Sequence, residues 1–257
     1  MPRLDSRLRL VAQQIRSATH ADIGADHGHL IRALLASGRI RRGIAIDNKM
    51  APLENAASTL ADDIADGSAE VRLADGFQGV SEDEIDSVSL GGLGGRKIAS
   101  ILTTHPDRVP EIVIAQPNDH PSAVRRWGDE NGFHLVDELT SAGKRPFLVL
   151  RLRRHTGRDP VYDRFDDRDV AIEFGPHRMW DDPEQMEPLL KVELEYWRRQ
   201  LALGVAANRR YQLIQRALSW LMRHRQHGER SSRHGDILYR APPTDRLADS
   251  NLDVDRA

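Results

Sequence analysis

Apolar positions along the chain fall into two regimes. Up to about residue 155, short apolar or β-branched runs alternate with segments in which Ala, Leu and Ile recur at helical spacing. The runs at 20–24, 43–47, 70–75, 87–92 and 111–116 predict five strands. The pieces at 29–37, 50–62, 95–104 and 121–131 predict helices. Alternation at this pitch predicts an α/β fold, a parallel sheet wrapped by helices. Two further runs, 134–139 and 147–154, flank a Gly/Pro-containing turn. They predict an antiparallel hairpin closing one sheet edge, for seven strands in all. At the start, Leu4, Leu8, Val11 and Ile15 share one helical face, which predicts a helix laid on the sheet.

Beyond residue 155 the pattern changes. Residues 156–183 read as a polar connector dense in Asp, Arg and Pro. From Glu184 the signal is helical only. Leu190, Leu194, Trp197 and Leu201, then Tyr211, Ile214, Leu218 and Leu221, make a heptad-like seam. Gly204 and Asn208 lie between the two runs, so one bent helix and a helical hairpin are both open. The organisation expected is a sheet domain over 1–155, a connector over 156–183, a helical arm over 184–227 and a disordered polar tail over 228–257.

Composition narrows the chemistry. The 257 residues contain no cysteine, which removes disulfides, thiolate-bound metal and thiol catalysis. No apolar run approaches the roughly 20 residues needed to cross a bilayer, and the N-terminus has no apolar leader. A cytoplasmic protein with no membrane partner is expected. The formal net charge of -2 excludes a uniformly basic protein. It conceals a division, however. Residues 1–150 hold 17 basic against 21 acidic side chains, whereas 188–228 hold 8 against 2. Lys occurs only at 49, 97, 144 and 191, so Arg dominates, and Arg is the better partner for phosphate. The arm, with Arg198, Arg209 and Arg216, is a candidate surface for an RNA backbone. A solvated helix face is the plain alternative.

The most informative segment runs from Asp22 to His29, between the first strand and the first helix of the alternation. Gly24 allows the backbone to turn and approach a ligand. Where a dinucleotide fold places its second glycine, this chain has Asp26, the wrong sign for a pyrophosphate. A nicotinamide oxidoreductase is therefore disfavoured. A cationic cofactor suits the loop better, and S-adenosylmethionine carries both a sulfonium and an amino group. Asp22 is expected to meet that amino group. Asp47, with Asn48 beside it, ends the second strand, where an acid takes ribose hydroxyls. Asp75 and Gly76 end the third, near the expected adenine. Gly91 and Gly92 open a glycine run after the fourth. Gln116, Pro117 and Asn118 follow the fifth, and their amides suit the edge of a base. His27 and His29 lack a third ligand at a convincing spacing, so no metal is expected.

These motifs together resemble a known family. Asp-Ile-Gly-x-Asp-His at 22–27, Gly-x-Gly-Gly at 92–95 and Gln-Pro-Asn at 116–118 are similar to those of the bacterial tRNA (adenine-22-N1)-methyltransferases, the TrmK family. Ser-Arg-Leu-x-x-Val-Ala at 6–12 and Gly-Pro at 175–176 look similar too. The likeness spans about residues 1–200. It implies a Rossmann-like class I methyltransferase domain of seven strands with a helical, coiled-coil-like C-terminal domain. It implies S-adenosylmethionine as cofactor and tRNA as partner. Asp22, Gly24, Asp26, His27, Asp47, Asn48, Asp75, Gly76, Gly91 and Gly92 would then hold the cofactor. Asp26, Asn118 and Gln116 would serve catalysis. Gln116, Pro117, Asn118, Arg198, Arg209 and Arg216 would hold the substrate. The chain departs from the family at Gly28-His29, where Ala-Tyr is usual, at Asp47, where Glu is common, and at Leu93, where Met is usual. Transfer to another RNA or a small molecule, and RNA binding without catalysis, are the alternatives. Oligomeric state is open between monomer and weak dimer.

Overall fold

The computed structural model describes residues 4–141 and 146–228. Seven strands form one sheet: β1 (Thr19–Ile23), β2 (Arg42–Asp47), β3 (Ala69–Leu73), β4 (Ser87–Leu93), β5 (Ile112–Pro117), β6 (Phe133–Thr140) and β7 (Leu148–Arg154). Their order is β3-β2-β1-β4-β5-β7-β6. The first five run parallel. β7 pairs antiparallel with both β5 and β6, so the last two strands are the expected hairpin. Strand order reverses between β1 and β4, which opens a crevice at their carboxyl ends, the usual ligand position in such sheets.

Helices cover both faces. On one lie α1 (Ser6–Gln13), α2 (His29–Ala36), α3 (Met50–Thr59) and α4 (Ala61–Ala65). There Val11, Ile15, Ile31, Leu34 and Leu60 pack with Ala45 and Ile114 of the sheet. On the other lie α5 (Gly95–Thr104) and α6 (Pro121–Glu130). There Ile98, Leu102, Val124 and Trp127 pack with Ile44, Ile46, Val113 and Ala115. Alternate residues of β2 and β5 thus serve opposite cores, as period-2 geometry requires. The single helix expected over 50–62 is broken, because Leu60 ends α3 and precedes α4.

The segment 156–183 is not an open connector. It forms a 3-10 turn (Pro160–Arg164), α7 (Arg168–Phe174) and α8 (Pro176–Asp181). Val161, Tyr162, Phe165, Val170, Ile172, Phe174 and Met179 are all buried in the larger core. Its polar residues occupy the outer face, which is why its composition reads as linker. The helical arm then resolves as a hairpin, α9 (Pro183–Arg199) and α10 (Val205–Gly228), turned at Leu201–Leu203. The Gly204 link adopts φ +105, which excludes a continuous helix there. Leu190, Ile214, Leu218 and Leu221 are buried along the seam, but Leu201 lies exposed at the turn. Phe165 stacks on Trp220, ring centroids 4.3 Å apart, tying the arm to the preceding segment. The tail expected to be disordered lies, from residue 229 on, outside the described residues. Among the described residues no helix is long and apolar enough to cross a membrane.

Candidate active site

The loop after β1 folds back over the end of β2. Gly24 N and Ala25 N both donate to Ile46 O, at 2.8 and 3.1 Å. Gly24 adopts φ +79, and Asp26 takes the left-handed region at φ +50, which Asp tolerates better than most residues. Gly28 is held by packing as well as by its φ of +68. A Cβ there would meet Leu60 Cδ1 at 3.1 Å and Ala56 Cα at 3.3 Å. The loop thus presses on α3 while Asp26 stays exposed, its carboxylate 3.6 Å from His27 Nε2. The His27 and His29 rings stack at 5.6 Å. No group of three or more metal-ligating side chains gathers among the described residues.

Asp22, at the end of β1, is buried. The Ser89 hydroxyl donates to its Oδ1 at 2.6 Å. Burial pushes the carboxyl up to about 6, and Asp47 adds to the rise; the Ser89 hydrogen bond and the Arg7 charge hold it down. Asp47 is half-buried, and its Oδ1 accepts from Lys49 N at 3.0 Å, a turn ahead of α3. Asp75 is exposed and makes no cap hydrogen bond to the 3-10 turn it precedes.

The glycine run after β4 is clamped from β5. Gly92 takes φ +73 at a register shift between Gly91 and Leu93. Gly92 N donates to Gln116 Oε1 at 3.0 Å, and Arg7 Nη1 donates to the same oxygen at 3.3 Å. Gln116 Nε2 donates to Asn118 Oδ1, and Asn118 Nδ2 donates to Gly92 O at 2.7 Å. Asn118 N closes the clamp on Leu93 O at 2.8 Å. Gly95 sits against the backbone of the next loop, where a Cβ would meet His120 O at 2.2 Å.

A cleft of about 400 Å³ opens at the carboxyl ends of β1, β2, β3 and β4. All ten residues expected to hold the cofactor line it. So do Arg7, Ser89, Lys49 and Lys97, which the sequence reading did not assign. Ser89 reaches the cleft through its hydrogen bond to Asp22 across the β1–β4 pairing, a contact with no local signal in the sequence. Gln116, Pro117 and Asn118 do not line the cleft. Gln116 is 2% exposed and its amide is turned inward. Both amides hold the glycine loop that forms one wall of the cleft, Gln116 from the interior and Asn118 from an exposed position.

None of Arg198, Arg209 and Arg216 lines the cleft. Arg198 pairs with Glu195, and Arg216 pairs with Asp167 at 2.6 Å. Arg209 is exposed and makes no ion pair among the described residues.

Residues 4–150 match the family model described as methyltransferase domain. The chain is 29% identical over 164 residues to the tRNA (adenine(22)-N(1))-methyltransferase of Bacillus subtilis strain 168, covering 63% of this chain and 69% of that one. The crystal structure of the B. subtilis M1A22 tRNA methyltransferase TrmK superposes with a TM-score of 0.76 at 23% identity, covering 87% of this chain and 99% of that one. The structure of M. capricolum TrmK in complex with S-adenosyl-homocysteine superposes with a TM-score of 0.70 at 22% identity, covering 86% of this chain and 97% of that one. The matched region runs from α1 through six strands into β7 and contains the whole cleft, so the chain belongs to the methyltransferase-domain family.

Proposed function

We propose that the protein transfers a methyl group from S-adenosylmethionine to N1 of an adenine in tRNA, position 22 being the site named for its B. subtilis relative. One observation carries the reading. Acids end each of the first three strands around a single cleft, and a fourth, Asp26, stands exposed at the loop where a phosphate-binding fold needs glycine. The donor set fits the cofactor. Asp22 offers a buried carboxylate for an amino group, Asp47 one for ribose hydroxyls, and Ala74, Gly76 and Ile101 an apolar stretch of wall for a flat ring. When bound, S-adenosylmethionine supplies an electrophilic methyl on sulfonium.

Adenine N1 already carries a lone pair, so the chain need not supply a strong base. Its tasks are exposure, alignment and exclusion of water. Gln116 and Asn118 act by holding the backbone of Gly92, which walls the cleft. Asp26, exposed on the loop after β1, is the acid we assign to the incoming base. Its carboxylate accepts from the adenine N6 amino group and balances the positive charge the ring acquires. A tRNA substrate makes the cytoplasm the expected location.

The test has two readouts. Calorimetry with S-adenosylhomocysteine measures the cofactor site, and mass spectrometry of nucleosides from incubated tRNA measures transfer. Wild type should bind and produce 1-methyladenosine. Asp26→Asn should bind within a few-fold of wild type yet lose transfer by about 100-fold or more. Loss of binding in Asp26→Asn would assign that residue to the cofactor alone. Absence of 1-methyladenosine with intact binding would assign the protein another acceptor.

A further inference from the structure

A file of polar groups crosses the otherwise apolar centre of the sheet and ends in the cleft. The Ser17 and Ser87 hydroxyls lie 2.7 Å apart. Ser87 Oγ lies 2.7 Å from His20 Nδ1, and His20 Nε2 lies 2.9 Å from Ser89 Oγ. Ser89 Oγ then donates to Asp22 Oδ1 at 2.6 Å. The β1–β4 register sets this file, since His20 stands opposite Ser87 and Asp22 opposite Ser89. All four are buried. Apolar residues of similar size would fill this space without the cost of desolvating four polar groups.

Valence fixes the direction of every bond. An ionised carboxylate only accepts, so the Ser89 proton goes to Asp22. The Ser89 oxygen must then accept from His20 Nε2–H. A neutral imidazole has one N–H, so Nδ1 accepts from the Ser87 hydroxyl. Burial pushes the His20 imidazole down to about 3, which favours its neutral form. The charged groups facing Asp22 are Arg7 from α1, which favours the ionised form, and Asp47 from β2, which opposes it.

We propose that Ser89 and His20 are positioning residues for cofactor binding, His20 in its Nε2–H tautomer locking the Ser89 hydroxyl as a donor that keeps the Asp22 carboxylate ionised and aimed into the cleft. This rests on the S-adenosylmethionine reading above. Burial alone would leave Asp22 protonated over part of the physiological range, and a neutral acid holds a cationic amino group poorly. The hydroxyl offsets that tendency, and the imidazole denies the hydroxyl any other orientation.

The experiment is calorimetric titration with S-adenosylhomocysteine from pH 5 to 8.5 for wild type, Ser89→Ala and Ser89→Thr, with imidazole nitrogen shifts of His20 read by NMR. Wild-type affinity should fall as pH drops through about 6. In Ser89→Ala the midpoint should rise by about one pH unit, so that affinity at pH 6 drops roughly fivefold while affinity at pH 8.5 changes little. Ser89→Thr keeps the hydroxyl and should restore both. His20 should appear as neutral Nε2–H throughout. Wild-type midpoint and affinity in Ser89→Ala, or an Nδ1–H tautomer, would overturn the inference while leaving the cofactor reading intact. A wild-type protein that binds no S-adenosylhomocysteine would overturn both.

Discussion

Asp22 shows what a functional residue costs its fold. Burial raises its carboxyl from 3.8 to about 6, so between those values the folded chain holds a proton that the unfolded chain releases. Stability from this group is therefore full below about 3.8 and is lost as pH rises through about 6. At pH 7.5 the ionised, buried form costs about 2–3 kcal/mol. Asp22→Asn should accordingly raise Tm at pH 7.5 by a few degrees, with the gain shrinking towards pH 4, while weakening S-adenosylhomocysteine binding. His20 has the opposite sign. Its depressed imidazole contributes stability above about 6.5 that disappears as pH falls towards about 3. The variant, keeping that contribution, should show the steeper acid limb. Thermal scans across pH check both, and a pH-independent difference between the two proteins would refute the assignment to Asp22. At this scale the acids were legible, because an Asp closing an apolar run is conspicuous. His20 and Ser89 were not, since a lone polar residue in a short strand looks the same whether it faces water or a partner strand.

Between elements, the joint that matters lies at Gly175-Pro176. Gly175 ends α7 at φ +96, and Pro176 starts α8, where its missing N–H costs nothing. Beneath the joint lies a buried ion pair, Arg125 Nε to Glu138 Oε1 at 2.6 Å, both side chains fully enclosed. Arg125 Nη1 also donates to Ile172 O and Glu173 O in α7, and Glu138 Oε2 accepts from His177 N in α8. One pair thus joins α6, β6 and the helical segment. A Cβ on Gly175 would meet Arg125 Nη2 at 2.8 Å and Glu138 Oε2 at 2.9 Å. Gly175→Ala should therefore lower stability by about 2–4 kcal/mol, through strained φ and a displaced buried pair. An unfolding free energy from urea titration within about 0.5 kcal/mol of wild type would show that the joint yields freely. The Gly-Pro pair was visible in the sequence as a helix opening. Its partner Arg125 was not, because 50 residues separate them and nothing local distinguishes Arg125 from the exposed Arg126 next to it.

For the whole molecule, the division of charge between an acidic sheet domain and a basic arm is real in sequence but altered in space. Arg210 pairs with Glu173 and Glu193, Arg216 with Asp167, and Arg223 with Asp166. Much of the arm's positive charge therefore faces acids of the segment it packs on. Among the three arginines expected to meet RNA, all exposed, Arg209 alone makes no ion pair among the described residues, since Arg198 pairs with Glu195. Arg209→Ala should weaken tRNA binding several-fold and reduce the slope of log K against log salt by about one. Arg216→Ala should change that slope less. An Arg209→Ala slope equal to wild type would place the RNA elsewhere. Cutting the chain before α9 is a poor test of the same idea, since Leu190, Ile214, Leu218 and Trp220 belong to the common core and their removal would expose it.

Strand and helix periods, the hairpin at the sheet edge and the acids at strand ends follow from residues close in sequence, so the α/β plan and the cleft's cofactor face were determined by the sequence itself. Three things were decided only by tertiary packing. The polar stretch over 156–183 became part of the core, because its few apolar residues found a common neighbour in α6 and α10. Gln116 and Asn118 became clamps on the glycine loop, because their amides met Gly92 across the sheet. Three arginines of the basic arm, Arg210, Arg216 and Arg223, found acids in the segment before it, Glu173, Asp167 and Asp166. Each depends on pairing between distant positions, which no local period encodes.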